Sequence, residues 1–191
     1  NMHGATAVWM AAAGPGRLYV DRCTFKGGVG GRLFGLVRMA GRVSNSLFVN
    51  NQASGGDMIY GYGYDVPFIN CTFTSNSGGY ADWVPSPNAR LQNCIIAGDA
   101  KLNSGAASAL VLSNVILWNT PLGTGYNNAA STNVIALDPR FVNPAAWDYQ
   151  LRENSPAVDA GDNAYTNGTL DVAGNPRVQD GNDDDLAIVD L

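Results

Sequence analysis

Three groups of residues have types and spacings that could do chemistry. In "DGNDDD" (180–185), Asp180, Asn182 and Asp184 alternate along the chain and Gly181 eases the turn. A hard cation such as Ca²⁺ accepts an oxygen-rich arrangement of this kind, although no Glu stands at a twelfth position and the loop is no EF-hand. A solvated acidic loop is the alternative. Arg32, Asp57 and Asp82 follow double glycines in successive repeats, with Asp82 offset by two residues from the place of Asp57. Two carboxylates within reach of each other are what glycoside hydrolysis requires, and Arg beside a bound cation suits a polysaccharide lyase. The same placement also makes a surface ion-pair ladder with no catalytic role. Tyr60, Tyr62 and Tyr64 alternate with glycine, so a straight strand puts three rings on one face. Facing out, with Trp83 or Tyr80 beside them, they form a strip on which sugar rings stack; facing in, they fill the core. Asp99 with Lys101 is a lesser pair, and "NCT" at Asn70 and "NGT" at Asn167 match glycosylation acceptors by chance.

The elements that must position these residues are short strands and turns. The chain has 191 residues, 46% of them hydrophobic, which is enough for one sizeable core. It has 23 Gly and 20 Asn but one Glu and two Lys, so turn formers far outnumber good helix formers. The net charge of −5 hides an asymmetry: residues 1–137 carry eight basic and five acidic side chains, and residues 138–191 carry three and eleven. With no basic stripe interleaved with aromatics, nucleic acid is not an expected partner. No apolar run is long enough to span a bilayer.

A short phrase recurs: "VDRCTF" (20–25), "VSNSLF" (43–48), "FINCTF" (68–73), "LQNCII" (91–96) and "LSNVIL" (112–117), at spacings of 23, 25, 23 and 21. An apolar residue precedes a polar corner by two, a small or apolar residue follows it, and a large apolar residue comes two further on. That is strand alternation on both sides of a bend. The corner is Arg22, then Asn45, Asn70, Asn93 and Asn114. Asn tolerates the left-handed conformation, and its amide can bond to the next Asn in a ladder. Double glycines mark a second bend. A lap of this length without a helix resembles the right-handed parallel β-helix, and the all-β expectation is about six to seven coils over 1–137. Cys23, Cys71 and Cys94 share the inward position after the corner and read as small core residues.

From 138 the repeat stops, and "DPRFVNPAAWDYQLRENSPAVDAGDN" followed by "DVAGNPR" takes over. The prolines and the Asp-Gly and Gly-Asn pairs suit an irregular cap packed on the last coil within the same domain, with Phe141, Trp147, Tyr149, Leu151 and Val158 as its underside. Through Asp138-Pro139-x-Phe141, Ser155-Pro156-Ala157-x-Asp159-x-Gly161 and Gly174-Asn175-Pro176-Arg177, this region resembles bacterial surface β-helix proteins of the choice-of-anchor type, relatives of the polymorphic outer-membrane protein repeats. The resemblance implies a secreted or surface-attached bacterial protein and no particular reaction.

Two readings of function follow. One is a non-catalytic extracellular spacer, adhesin or assembly module. The other is a carbohydrate-active or polysaccharide-binding β-helix, with a polysaccharide or cell-surface glycan as partner. The chain also begins inside the repeat, so self-association through an open N-terminal coil is expected.

Overall fold

A computed structural model describes residues 8–30, 34–53, 59–62, 66–78, 90–98, 110–122 and 130–191. The repeated phrases stack in register as a parallel β-solenoid. The long sheet is built from β1 (Val8–Asp21), β2 (Thr24–Lys26), β4 (Phe34–Ser44), β5 (Leu47–Val49), β7 (Ile59–Tyr62), β8 (Phe68–Ile69), β9 (Thr72–Thr74), β11 (Arg90–Ala97), β12 (Val111–Trp118) and β13 (Thr132–Ile135). A second sheet pairs β3 (Val29–Gly30), β6 (Gln52–Ala53) and β10 (Ser77–Gly78). Val20, Val43, Phe68, Leu91 and Leu112 are consecutive partners across the long sheet. So are Phe25, Phe48, Phe73, Ile96 and Leu117. Turns with strands in both sheets number about three among the described residues, fewer than the six to seven coils expected, although the long sheet itself has six rungs.

The corners explain why the sequence turns where it does. Arg22, Asn45, Asn70, Asn93, Asn114 and Asn133 all adopt left-handed conformations, with φ between 48° and 53°. Asn is the cheapest non-glycine residue there, because its short polar side chain bonds locally. A second left-handed corner follows five residues later, at Gly27, Asn50, Ser75, Gly98 and Asn119. Of the double glycines, Gly30 and Gly78 end β3 and β10, and their partners Gly31 and Gly79, with Gly55 and Gly56, lie outside the described residues.

Inside, the large apolar position forms a column. Phe25 stacks on Phe48 (ring centroids 4.7 Å apart, 11° between planes) and Phe48 on Phe73 (4.6 Å, 12°), and Phe68 meets both inner rings edge-on. Identical rings at one register position stack because neighbouring strands are about 4.8 Å apart. Beyond the second corner, Asn51 and Asn76 are buried and hydrogen-bonded. Asn76 Oδ1 accepts from the backbone N–H of Asn51 (3.0 Å) and from its Nδ2 (2.9 Å), while Asn76 Nδ2 donates to the Phe48 carbonyl (3.0 Å). Cys71 and Cys94 are free, buried thiols, as the inward column predicts, and Cys23 is partly buried.

Residues 138–191 touch the last coil at Asn133 and Ile135 and are not confined to it. They run back along the corner column and the outer flank of the long sheet. Asn133 Nδ2 donates to the Ala160 carbonyl (3.3 Å), Asn93 exchanges two hydrogen bonds with Asp162 (2.9 and 3.0 Å), and Asn45 Nδ2 reaches the Asn167 carbonyl (2.6 Å). Thus the corner amides chiefly hold this strap. A direct corner-to-corner bond is described only from Asn133 to Asn114 (2.9 Å). The segment extends that far because the outward residues of β11 and β12 need cover: Ile95, Ala97 and Ile116 are buried against Phe141, Ala157 and Leu191 in a second core. Fully burying each such aliphatic side chain contributes about 1.5–3 kcal/mol. The strap also holds the hairpin β14 (Phe141–Asn143) with β15 (Asp148–Leu151), and the pair β16 (Val178–Gln179) with β17 (Ile188–Val189). At the far end Lys26 Nζ sits 3.7 Å from the Trp147 ring centroid, pinning the hairpin to the first lap. Among the described residues, no helix is long and apolar enough to cross a membrane.

Candidate functional site

Where the strap leaves the flank, a cleft of about 740 Å³ opens. Its floor is the outward column of the second limb, Leu47, Thr72 and Ile95, and one wall is the β15 side of the hairpin, with Tyr149 and Leu151. The opposite wall is the turn 171–177, and its inner end holds Asn45, Asn70, Arg177 and Asp190. Thr72 interrupts the apolar outward column there, between Ile95 and Leu47.

The inner end is polar and poorly paired. Asn70 is 3% exposed, and neither its Oδ1 nor its Nδ2 has a hydrogen-bond partner; the same is true of Asn45 Oδ1 and Arg177 Nε. Each buried unpaired group of this kind costs about 1–3 kcal/mol. Arg177 reaches the Asn70 carbonyl through Nη2 (3.0 Å), and burial pushes its guanidinium below the ordinary arginine range, against the pull of Asp171 and Asp190. Burial likewise pushes the Asp190 carboxyl up. The backbone N–H of Asp159, donating at 2.9 Å, opposes that rise, the Asp159 carboxylate adds to it, and Arg177 opposes it. Tyr149 is shifted up by burial too. Titratable groups perturbed by desolvation in a cleft mark a candidate site.

Arg32, Asp57, Asp82, Asp99, Lys101, Tyr64, Tyr80 and Trp83 lie outside the described residues. Tyr60 and Tyr62 are in β7, paired in register with Gly35 and Val37 of β4. In the acidic loop, Asp180 accepts from the N–H groups of Asp184 (3.2 Å) and Asp185 (2.8 Å), Asn182 from that of Asp184 (3.1 Å), and Asp184 from that of Leu186 (3.0 Å). These oxygens brace the loop's own turns. Among the described residues, no group of three His, Cys, Asp or Glu side chains is placed to hold a metal. Asn70 of the "NCT" triplet is buried.

Sequence reasoning passed over Arg177, Asp190 and Asn70 as a group because they are 13 to 120 residues apart in the chain. Asn70 stands out locally as a corner and Arg177 through the "GNPR" turn, but nothing in the chain joins them. No family model matches the chain, and no curated protein or solved structure shows significant similarity to it.

Proposed function

We propose that this chain is a non-catalytic module of a secreted or cell-surface bacterial protein, of the choice-of-anchor or polymorphic-repeat type, working as a spacer, adhesin or assembly unit. The observation that carries this reading is the strap. A solenoid clasped along its flank by corner amides, with an apolar core on each side of one sheet, is a stiff element suited to bearing a surface. The described carboxylates support it as well: Asp138, Asp148, Asp162 and Asp171 each accept from a backbone N–H two residues on, holding turns. The test is incubation of the purified chain with a panel of polysaccharides, assayed for newly formed reducing or unsaturated ends. No turnover is expected; turnover abolished by Asp57→Ala or Asp82→Ala overturns the reading in favour of a lyase or hydrolase.

A second reading, a polysaccharide-binding module, is favoured by the cleft, whose mixed apolar and polar lining suits a sugar.

A further inference from the structure

We propose that the inner end of the cleft between strap and flank is a binding site for a neutral saccharide residue, with Asn70, Asn45 and Arg177 as its polar contacts and Tyr149 as its ring platform. The proposal rests on the carbohydrate-binding reading and gives it a place and a ligand class.

The unpartnered atoms define the chemistry. Asn70 Nδ2 and Arg177 Nε are donors, whereas Asn70 Oδ1 and Asn45 Oδ1 are acceptors, all of them buried. A carboxylate or phosphate, which only accepts, would satisfy the first pair and leave the second unmet. A lone cation would do the reverse. Adjacent hydroxyls both donate and accept, so a sugar edge meets the whole set. Charge points the same way, because the cleft is lined by the carboxylates of Asp148, Glu153, Asp171 and Asp190 against the guanidiniums of Arg152 and Arg177. An anionic sugar is repelled by that balance.

The apolar part fits as well. Leu47 on the floor and Tyr149 on the wall, both partly exposed, offer surface to the C–H face of a pyranose. Tyr149 is held by an edge contact with Phe141, 5.4 Å between centroids, so the ring is already oriented. The cleft volume of about 740 Å³ lies within the roughly 300–1,000 Å³ usual for small-ligand sites. Because the orphan atoms are closed to solvent, entry of the sugar requires the Arg177 side chain to shift, giving up its single described hydrogen bond to the Asn70 carbonyl.

The full chain is titrated with neutral methyl glycosides and short neutral oligosaccharides, with galacturonate as the charged comparator. Isothermal calorimetry and saturation-transfer NMR follow binding. Two variants accompany the natural chain: Tyr149→Ala removes the platform, and Gln150→Trp, at an exposed position on the wall, blocks the mouth. Both are first shown to melt as cooperatively as the natural protein, and Gln150→Trp keeps the test intact if Tyr149→Ala does not fold. The expected result is binding of at least one neutral sugar, weakened about tenfold or more in each folded variant, with galacturonate weaker than its neutral counterpart. A preference for galacturonate overturns the proposal, as does a neutral sugar that binds Gln150→Trp undiminished. Intact polysaccharides retained equally by the natural chain and the variants sink this site but leave the wider carbohydrate reading standing. Failure of every sugar and polysaccharide to bind sinks both.

Discussion

Replacing Phe48 by alanine should be among the most damaging single changes in the solenoid. The side chain is 3% exposed and sandwiched between Phe25 at 4.7 Å and Phe73 at 4.6 Å, with Phe68 edge-on at 6.2 Å. Truncating a buried Phe costs about 3–5 kcal/mol through lost transfer energy and the cavity left behind. Losing two stacked contacts places Phe48→Ala near the top of that range, since aromatic pairs contribute about 0.5–1.5 kcal/mol each beyond burial. The same substitution at Phe25 is an internal control. Phe25 is only half-buried and has one of the two stacks, so its loss should cost about half as much, roughly 2 kcal/mol. Against a total stability of about 5–15 kcal/mol, Phe48→Ala leaves the fold marginal. Urea unfolding followed by circular dichroism measures both, with the slope of the transition checked for constancy. If Phe48→Ala costs no more than Phe25→Ala, the stacked column is not the energetic spine of these laps and the reasoning fails.

Three further outcomes follow from the strap and the buried groups. Gly161→Ala should loosen the strap, since a Cβ there would lie 2.5 Å from the Val189 carbonyl oxygen and 2.6 Å from Val189 Cγ1; limited proteolysis should cut 138–191 before the solenoid, and equal resistance to the natural chain would contradict this. Asp190 has a folded-state pKa above its unfolded value, so the folded form binds the extra proton and stability falls as pH rises through that window. Asp190→Asn should therefore be more stable than the natural chain at neutral pH, with the difference disappearing in acid below the unfolded pKa. An advantage that grows in acid would refute the assignment. Cys94 is pushed up to about 12 by burial and Cys71 also lies well above the ordinary thiol range, so a thiol reagent should label Cys23 in the native protein and reach the other two only on unfolding.

The solenoid could be read from the phrases because each lap repeats one local solution. Val20, Val43, Phe68, Leu91 and Leu112 align in the sequence at the same positions at which they pair in the sheet. The strap's place was also written there, though less openly. In "CTFT" polar and apolar residues alternate after the corner, whereas "CIIA" and "VILW", like "SLFV" before them, are apolar on both faces. A strand that is apolar on both faces is one covered on both faces. Ile95 and Ile116 thus signal a second layer over the later laps. The paired Asn51 and Asn76, three residues past Phe48 and Phe73, add a second asparagine contact beside the corner column, where Asn133 bonds Asn114.

From composition and period alone come the parallel strands, the left-handed Asn corners and the inward thiols, all of which depend on interactions within a lap or between adjacent laps. The direction of the strap, the cleft it leaves above Thr72 and the meeting of Asn70 with Arg177 and Asp190 were decided only by the folded chain. Side chains so far apart in sequence have no local conformational signature. What unites them is the burial of Ile95 and Ile116, which draws 138–191 along the flank and brings the "GNPR" turn onto the third corner.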